Sequence, residues 1–317
     1  MRIIRHFVGA AVAAVTLATA AVPAQAQFIN ILTGGQTGVY FPLGTAMSKI
    51  YADNISGARP SVQATQASVQ NLNLLQEGKG EIALTLGDSL GFAWDGNEEA
   101  GFKTPLKKLR GVAAVYPNFI QLVASKESGI RTIADLKGKR LSVGAPRSGT
   151  ELNTRAILKA AGMAYTDLGK VEYLDFAQSI ELMKNRQLDA TLQSAGLGVA
   201  SIRDLASSND ITVISVPAAV VSKIGAPYVA VVIPANTYRG QTEAVETAAV
   251  INFLVTHDGV PEPLVYQMTK SLFDNLPAMV AAHSAARDIK LDGALQGMPV
   301  PLHPGAERFF KEKGIAK

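Results

Sequence analysis

The stretch Phe28-Ile-Asn-Ile-Leu-Thr-Gly-Gly-Gln-Thr-Gly-Val-Tyr-Phe-Pro-Leu-Gly44 decides how the chain is read. Its apolar run 28–32 predicts a strand. The strand meets a small-residue turn, Thr33 to Gly38, and a helix follows with Pro42 near its first turn, where a missing N–H carries no penalty. Glycines in such a turn let the backbone approach a ligand closely, and the free N–H groups of the helix start favour an anion.

Upstream, residues 1–26 read as a cleavable secretory signal. Arg2 and Arg5 form the charged end, 8–22 is an apolar run, and Ala24-Gln25-Ala26 is the cleavage site. The apolar run is shorter than the roughly 20 residues that a membrane span needs. The absence of a twin-arginine pair and of cysteine leaves neither a Tat signal nor a lipid anchor. A periplasmic location is the expectation.

Removing 26 of 317 residues leaves 291, room for two ordinary domains. Without the two signal arginines, 28 basic residues face 26 acidic ones. They are interspersed, so no nucleic-acid or membrane-surface partner is expected. Zero cysteines exclude disulfides, thiol catalysis and cysteine-ligated metals.

Short β-branched runs alternate with amphipathic stretches, which predicts an α/β architecture. Strands are expected over 28–33, 60–65, 82–86, 111–115, 119–124, 140–143, 171–173, 190–192, 212–215 and 228–233. Helices are expected over 43–54, 69–77, 150–161, 177–185, 199–207 and 243–256, with a helical tail from 262 and a last helix over 307–313. Tyr116-Pro117-Asn118 and the segment 216–228 look like crossings between lobes. Two crossings imply a discontinuous first lobe (27–117 plus 222–317) and an inserted second lobe (118–221), a two-lobed fold with a hinge and an interlobe ligand cleft.

Two turns carry candidate chemistry. In the first, Thr33, Gly35 and Thr37 would cradle a carboxylate, or the turn simply joins strand to helix. It is neither a Walker loop nor a dinucleotide fingerprint. In the second, Gly144-Ala-Pro-Arg-Ser-Gly-Thr150, either Ser148 or Thr150 caps the next helix, or Ser148, Gly149 and Thr150 hold an anion with Arg147 pairing to it. One such turn in each lobe would grip a single small acidic solute. Ser68, Gln66 and Asn71 are further polar candidates, with capping as the alternative for Ser68. Asp88 follows the strand 82–86 at the edge where open α/β sheets bind ligands, and either accepts from a substrate amine or caps a helix. Tyr40 and Tyr116 supply an aromatic wall and a hydroxyl, or belong to the core. His257, His283 and His303 have no partner at ligand spacing, no G-x-S-x-G elbow occurs, and neither metal nor cofactor is expected.

The motifs Leu32–Gly44, Ile130-Arg-Thr-Ile-Ala-Asp-Leu-Lys-Gly-Lys-Arg140, Val143–Thr150 and Leu302-His-Pro-Gly-Ala306, in this order, resemble the TAXI-type solute receptors of tripartite ATP-independent periplasmic (TRAP) transporters. The resemblance implies a two-lobed periplasmic binding protein without turnover, a TRAP membrane permease as partner, and glutamate-like or dicarboxylate ligands. By position it carries over Thr33, Gly35, Thr37 and Tyr40 in one lobe and Ser148, Gly149 and Thr150 in the other. Gly87-Asp88-Ser89 and Gln193–Gly198 depart from the family pattern, so glutamate is not assumed. A monomer is the default for a diffusing receptor. A periplasmic enzyme on the same scaffold, and a receptor serving an ABC importer or a sensor, stand as alternatives.

Overall fold

The computed structural model describes residues 26–316, so the expected signal segment lies outside the described residues apart from Ala26. The strands are β1 (Gln27–Leu32), β2 (Ala58–Gln63), β3 (Ile82–Leu86), β4 (Leu109–Ser125), β5 (Arg140–Ser142), β6 (Lys170–Glu172), β7 (Ala190–Ala195), β8 (Ile211–Ile214), β9 (Val229–Ile233) and β10 (Val245–His257). The α-helices between and after them are α1 (Tyr40–Asn54), α2 (Ser68–Gln76), α3 (Gly87–Asp95), α4 (Gly149–Ala160), α5 (Phe176–Lys184), α6 (Ala200–Ser208), α7 (Ala218–Ile224), α8 (Glu262–Asp274), α9 (Leu276–Ala282) and α10 (Pro304–Glu312). No described helix is long and apolar enough to cross a membrane.

The sheet runs β2-β1-β3-β10-β4-β7-β5-β6, with β8 on β4 and β9 on β10. In one half, β1 pairs in parallel with β2 and β3. In the other, β5 pairs in parallel with β6 and β7. Only β4 and β10 are common to both halves. They pair with each other antiparallel from Ala249↔Phe119 to His257↔Leu109. Beyond that overlap, β4 turns to β7 and β8, and β10 turns to β9 through Val245–Ala249. This is the α/β, hinged two-half architecture of periplasmic binding proteins.

One core runs through both halves: Tyr51, Met268, Leu272, Phe309 and Phe310 of α1, α8 and α10 belong to the same cluster as Val123, Ile180, Ile202 and Leu205 of the second half. In the first half, α2 and α3 also close over Leu32, Phe102 and Phe253. In the second half Ile120, Leu141, Ile157, Leu192 and Val250 form a second core, and Tyr228 joins them. Fully burying one such side chain is worth about 1.5–3 kcal/mol, which is how a chain without disulfides holds two halves together.

Four expectations need correction. The segment 243–256 is the strand β10, not a helix. Its near-continuous burial matches a central strand with both faces covered, and pairing with β9 overrides the local helical bias of Glu246, Ala248 and Ala249, as pairing with β3 and β4 does further along. The gap expected between the strands 111–115 and 119–124 lies inside one 17-residue strand. Pro117, which has no N–H to give the ladder, sits opposite Ile251 beside a register shift between Ile251 and Phe253. Helices α3 and α7 were not expected. The α3 segment carries glycines that read as loop, but it ends on Gly96 in the left-handed conformation. The segment 216–228 holds α7, and the strand β9 after it pairs with the first half of β10.

The other motifs of the sequence are structural. Thr132 and Asp135 form a capping box, and the Arg140 guanidinium forks onto Asp189 at 3.0 and 2.6 Å. His303 caps α10, its Nδ1 accepting from the Gly305 N–H while Nε2 donates to the Val260 carbonyl at 2.9 Å. Burial lowers its pKa.

Asn252, in the register shift, ties the crossing strands. Its amide donates to the Tyr116 carbonyl and to Asn118 Oδ1, each at 2.8 Å, and its Oδ1 accepts from the Tyr40 hydroxyl. All of these groups are buried. Asn252→Ala strands several of them and is expected to cost at least about 1–3 kcal/mol in urea unfolding. A change within about 0.5 kcal/mol, ordinary for surface substitutions, would contradict the assignment.

Candidate functional site

Because β1, β2 and β3 are parallel, their carboxyl ends open on one side. The carboxyl ends of β5, β6 and β7 do the same in the second half. Both sets face one crevice of about 380 Å3, beside the middle of β4. Ligands of open α/β sheets bind at such strand ends. From the first half come Gly34, Gly35 and Gly38–Tyr40 after β1, Thr65–Ser68 after β2, and Leu86 of β3. From the second come Ala145, Pro146 and Ser148–Thr150 after β5, Tyr173, Asp175, Phe176 and Gln178 after β6, and Ser194 and Ala195 of β7. Tyr116 and Asn118 of β4 form the floor.

The first turn is held rigidly. Gly44 of α1 lies so close to β1 that a Cβ there would stand 2.4 Å from Thr33 Cγ2. The Thr33 carbonyl accepts from Asn71 Nδ2 at 2.7 Å and from the Thr65 hydroxyl at 2.8 Å. The helix starts at α1 and α2 carry no side-chain cap and both reach the crevice. The second turn is capped: Ser148 Oγ accepts from the Glu151 N–H and donates to the Ala145 carbonyl. The N–H groups of Gly149 and Thr150 find no backbone acceptor among the described residues. Burial pushes the Tyr40 and Tyr116 phenols far above their usual range, so both stay neutral hydroxyls. The Tyr116 hydroxyl and Ser194 Oγ are buried without a hydrogen-bond partner.

Of the residues singled out from the sequence, Gly35, Tyr40, Ser68, Tyr116, Ser148, Gly149 and Thr150 line this one crevice. Thr33, Thr37, Asp88 and Arg147 do not. The Thr33 hydroxyl donates to the Gln63 carbonyl beneath the turn. Arg147 is exposed, in the left-handed region at φ 59°, and makes no ion pair among the described residues. Its carbonyl accepts from the Gln70 N–H, joining the two halves. Missed altogether was the wall Tyr173, Asp175, Phe176 and Gln178. Its only signal was the capping pattern Asp175-x-x-Gln178 at the end of a strand, the same pattern that marks any helix start.

Asp88 bridges the halves beside the crevice. Its Oδ2 accepts from Tyr228 OH at 2.6 Å and Asn153 Nδ2 at 2.7 Å, and its Oδ1 accepts from the Ser89 N–H. Desolvation raises its pKa against the lowering effect of these hydrogen bonds. The folded chain therefore keeps a proton that the unfolded chain loses just above the ordinary carboxylate value, and in that window stability falls as pH rises. The melting temperature of the wild type should drop relative to Asp88→Asn as pH is raised from about 4. An offset that stays constant with pH would contradict this. Gly149 lies where the halves come close together, since a Cβ there would lie 2.5 Å from Leu86 Cδ1 and 2.8 Å from Ser68 Oγ. Gly149→Ala should open the seam and raise the radius of gyration in small-angle scattering. An unchanged value would show that the seam yields locally.

The NMT1-like family model matches residues 31–314. Among solved structures, a periplasmic transporter is 10% identical with a TM-score of 0.57, over 90% of this chain and 92% of that one. An ancestral arginine-binding protein bound to arginine is 13% identical with a TM-score of 0.50, over 82% and 97%. The "Putative L-Cystine ABC transporter" from Listeria monocytogenes is 15% identical with a TM-score of 0.50, over 83% and 98%. At these identities the likeness shows the fold, while the family match spans nearly all of the described chain: this protein belongs to the NMT1-like family.

Proposed function

We propose that the protein is an exported solute-binding receptor, which takes a small carboxylate-bearing solute between its halves and hands it unaltered to a membrane permease. One observation carries this reading: the turn after β1 and the turn after β5, from opposite halves, border the same crevice. Gly149 and Thr150 hold the carboxylate at the start of α4, where Ser148 caps the helix, and Tyr40, Ser68 and Tyr116 meet the rest of the solute. Arg147 is left outside this set because it is exposed and away from the crevice lining. Asp88 acts on the seam between the halves and Thr33 beneath the turn.

The lobe boundaries follow the hydrogen-bond register. The chain passes between lobes at Pro117–Phe119 of β4 and again at Ala249–Asn252 of β10, so the second lobe takes in α7 and β9. This extends the inserted lobe beyond residue 221. The pairing of β9 with Val245–Ala249 and the place of Tyr228 in the second core support it.

A catalytic role has little to build on. No histidine, lysine or arginine lines the crevice, and the Ser148 hydroxyl is bonded to the Ala145 carbonyl rather than to a base. Family membership and the periplasmic-binding-protein fold support a binding role. For the membrane partner, the L-cystine relative by its printed name supports the ABC-importer alternative. The TRAP permease rests on the order of the four motifs alone. The receptor works as a monomer in either case.

In calorimetry on residues 27–317 with a ligand found by thermal shift, Thr150→Val should weaken binding by about 1–3 kcal/mol, roughly 5- to 150-fold, with one-to-one stoichiometry in the wild type. Unchanged affinity removes Thr150 from the site. Conversion of the ligand would favour an enzyme instead.

A further inference from the structure

The crevice has one carboxyl side chain in its lining and no basic one. Asp175 stands at the start of α5, on the wall opposite the first turn. One of its oxygens, Oδ1, accepts from the Gln178 N–H at 2.8 Å. The other has no partner among the described residues. Tyr173 and Phe176 flank it in the lining, and Phe176 lies against Gly38 of the first turn. A carboxylate at the α4 start needs no basic side chain, because the Gly149 and Thr150 N–H groups and the helix dipole supply positive potential. Beside Asp175 a second carboxylate has no such provision: the α5 start is already capped by Asp175 itself, no lysine or arginine lines the crevice, and the second carboxylate would meet Asp175 with the wrong sign. A cation at the same place would gain a charged hydrogen bond from the free carboxylate oxygen, in a lining that also holds two aromatic side chains. The buried, unpartnered Tyr116 hydroxyl and Ser194 Oγ, both in the lining, independently mark the crevice as built for polar groups that the protein does not itself provide.

Building on the receptor reading, we propose that the ligand is a net-neutral amino carboxylate. Its carboxylate sits at the start of α4, its ammonium is read by Asp175, and solutes with a second carboxylate are disfavoured. This narrows the glutamate-like or dicarboxylate expectation of the sequence. It assigns specificity to a residue that no sequence motif singled out.

Asp175→Asn removes the charge and keeps the oxygen that caps α5, because Asn and Asp are equivalent at that position. Calorimetry on residues 27–317, wild type and Asp175→Asn, would use three probe sets: the proteinogenic α-amino acids with γ-aminobutyrate and β-alanine; their deaminated monocarboxylates; and succinate, glutarate and malate. In the wild type an uncharged-side-chain amino carboxylate should bind more tightly than its deaminated partner and than any dicarboxylate. Asp175→Asn should weaken that amino carboxylate about tenfold or more, leave the deaminated acid unchanged, and improve the dicarboxylates. Tighter wild-type binding of a dicarboxylate or of a deaminated acid, or an amino carboxylate indifferent to Asp175→Asn, overturns the proposal and leaves the receptor reading standing. Binding of none of the three sets removes both.

Discussion

Everything functional in this chain depends on the antiparallel pair β4–β10. These two long strands belong to both halves at once, so they fix how one parallel sheet lies relative to the other. Once they are laid down, the carboxyl ends of β1–β3 and of β5–β7 have to open toward a common space. A site assembled this way needs no residue of unusual chemistry. It needs turns that end in helix starts, and backbone N–H groups that no side chain uses up. The glycines at close approaches follow from the same geometry, Gly44 where α1 meets β1 and Gly149 where the halves meet.

The crossing itself is polar where a core would ordinarily be apolar. Asn252 accepts from Tyr40 and donates to Asn118 and to the Tyr116 carbonyl, and Gln121 donates to the Ala195 carbonyl and accepts from the Tyr238 hydroxyl. Buried networks of this kind carry a desolvation penalty and hold their members in one arrangement when every group is satisfied. Here they join Tyr40 of the first helix start to the floor of the crevice. The Asp88–Asn153–Tyr228 contact does the equivalent at the seam, with a carboxyl that burial disfavours in its charged form. Both are positions where a shift between the halves is felt at once by a hydrogen bond.

Local signals carried much of this into the sequence. The strand-turn-helix at 28–44, the strand-to-helix passage at 140–150 and the helical tail were legible because glycines, caps and apolar periodicity sit close together in the chain. The α/β class followed from them, and so did a crevice shared by two distant turns. What was not legible depends on pairing over long distance. Val245–His257 is a strand because β3 and β4 flank it, and its run of alanine, valine and leucine suits a helix equally well. On the lobe boundaries proposed above, the same misreading placed the second crossing at 216–228 rather than at Ala249–Asn252. Within the site, Ser148 and Thr150 were visible as a cap, whereas Tyr173–Gln178 looked like any short connection until the fold carried it across from the first turn. Thr33 and Asp88 were visible and took other roles: a threonine or aspartate in a turn bonds the backbone or the neighbouring element as readily as it bonds a ligand.

The central claim is that one small solute touches both halves at once. Amide-resolved hydrogen exchange on residues 27–317, with and without a saturating ligand, tests it most directly. The account predicts that the amides of 34–40 and of 148–151 gain protection together, at the same ligand concentration. Protection confined to one of these segments, or appearing only away from the crevice, would contradict it.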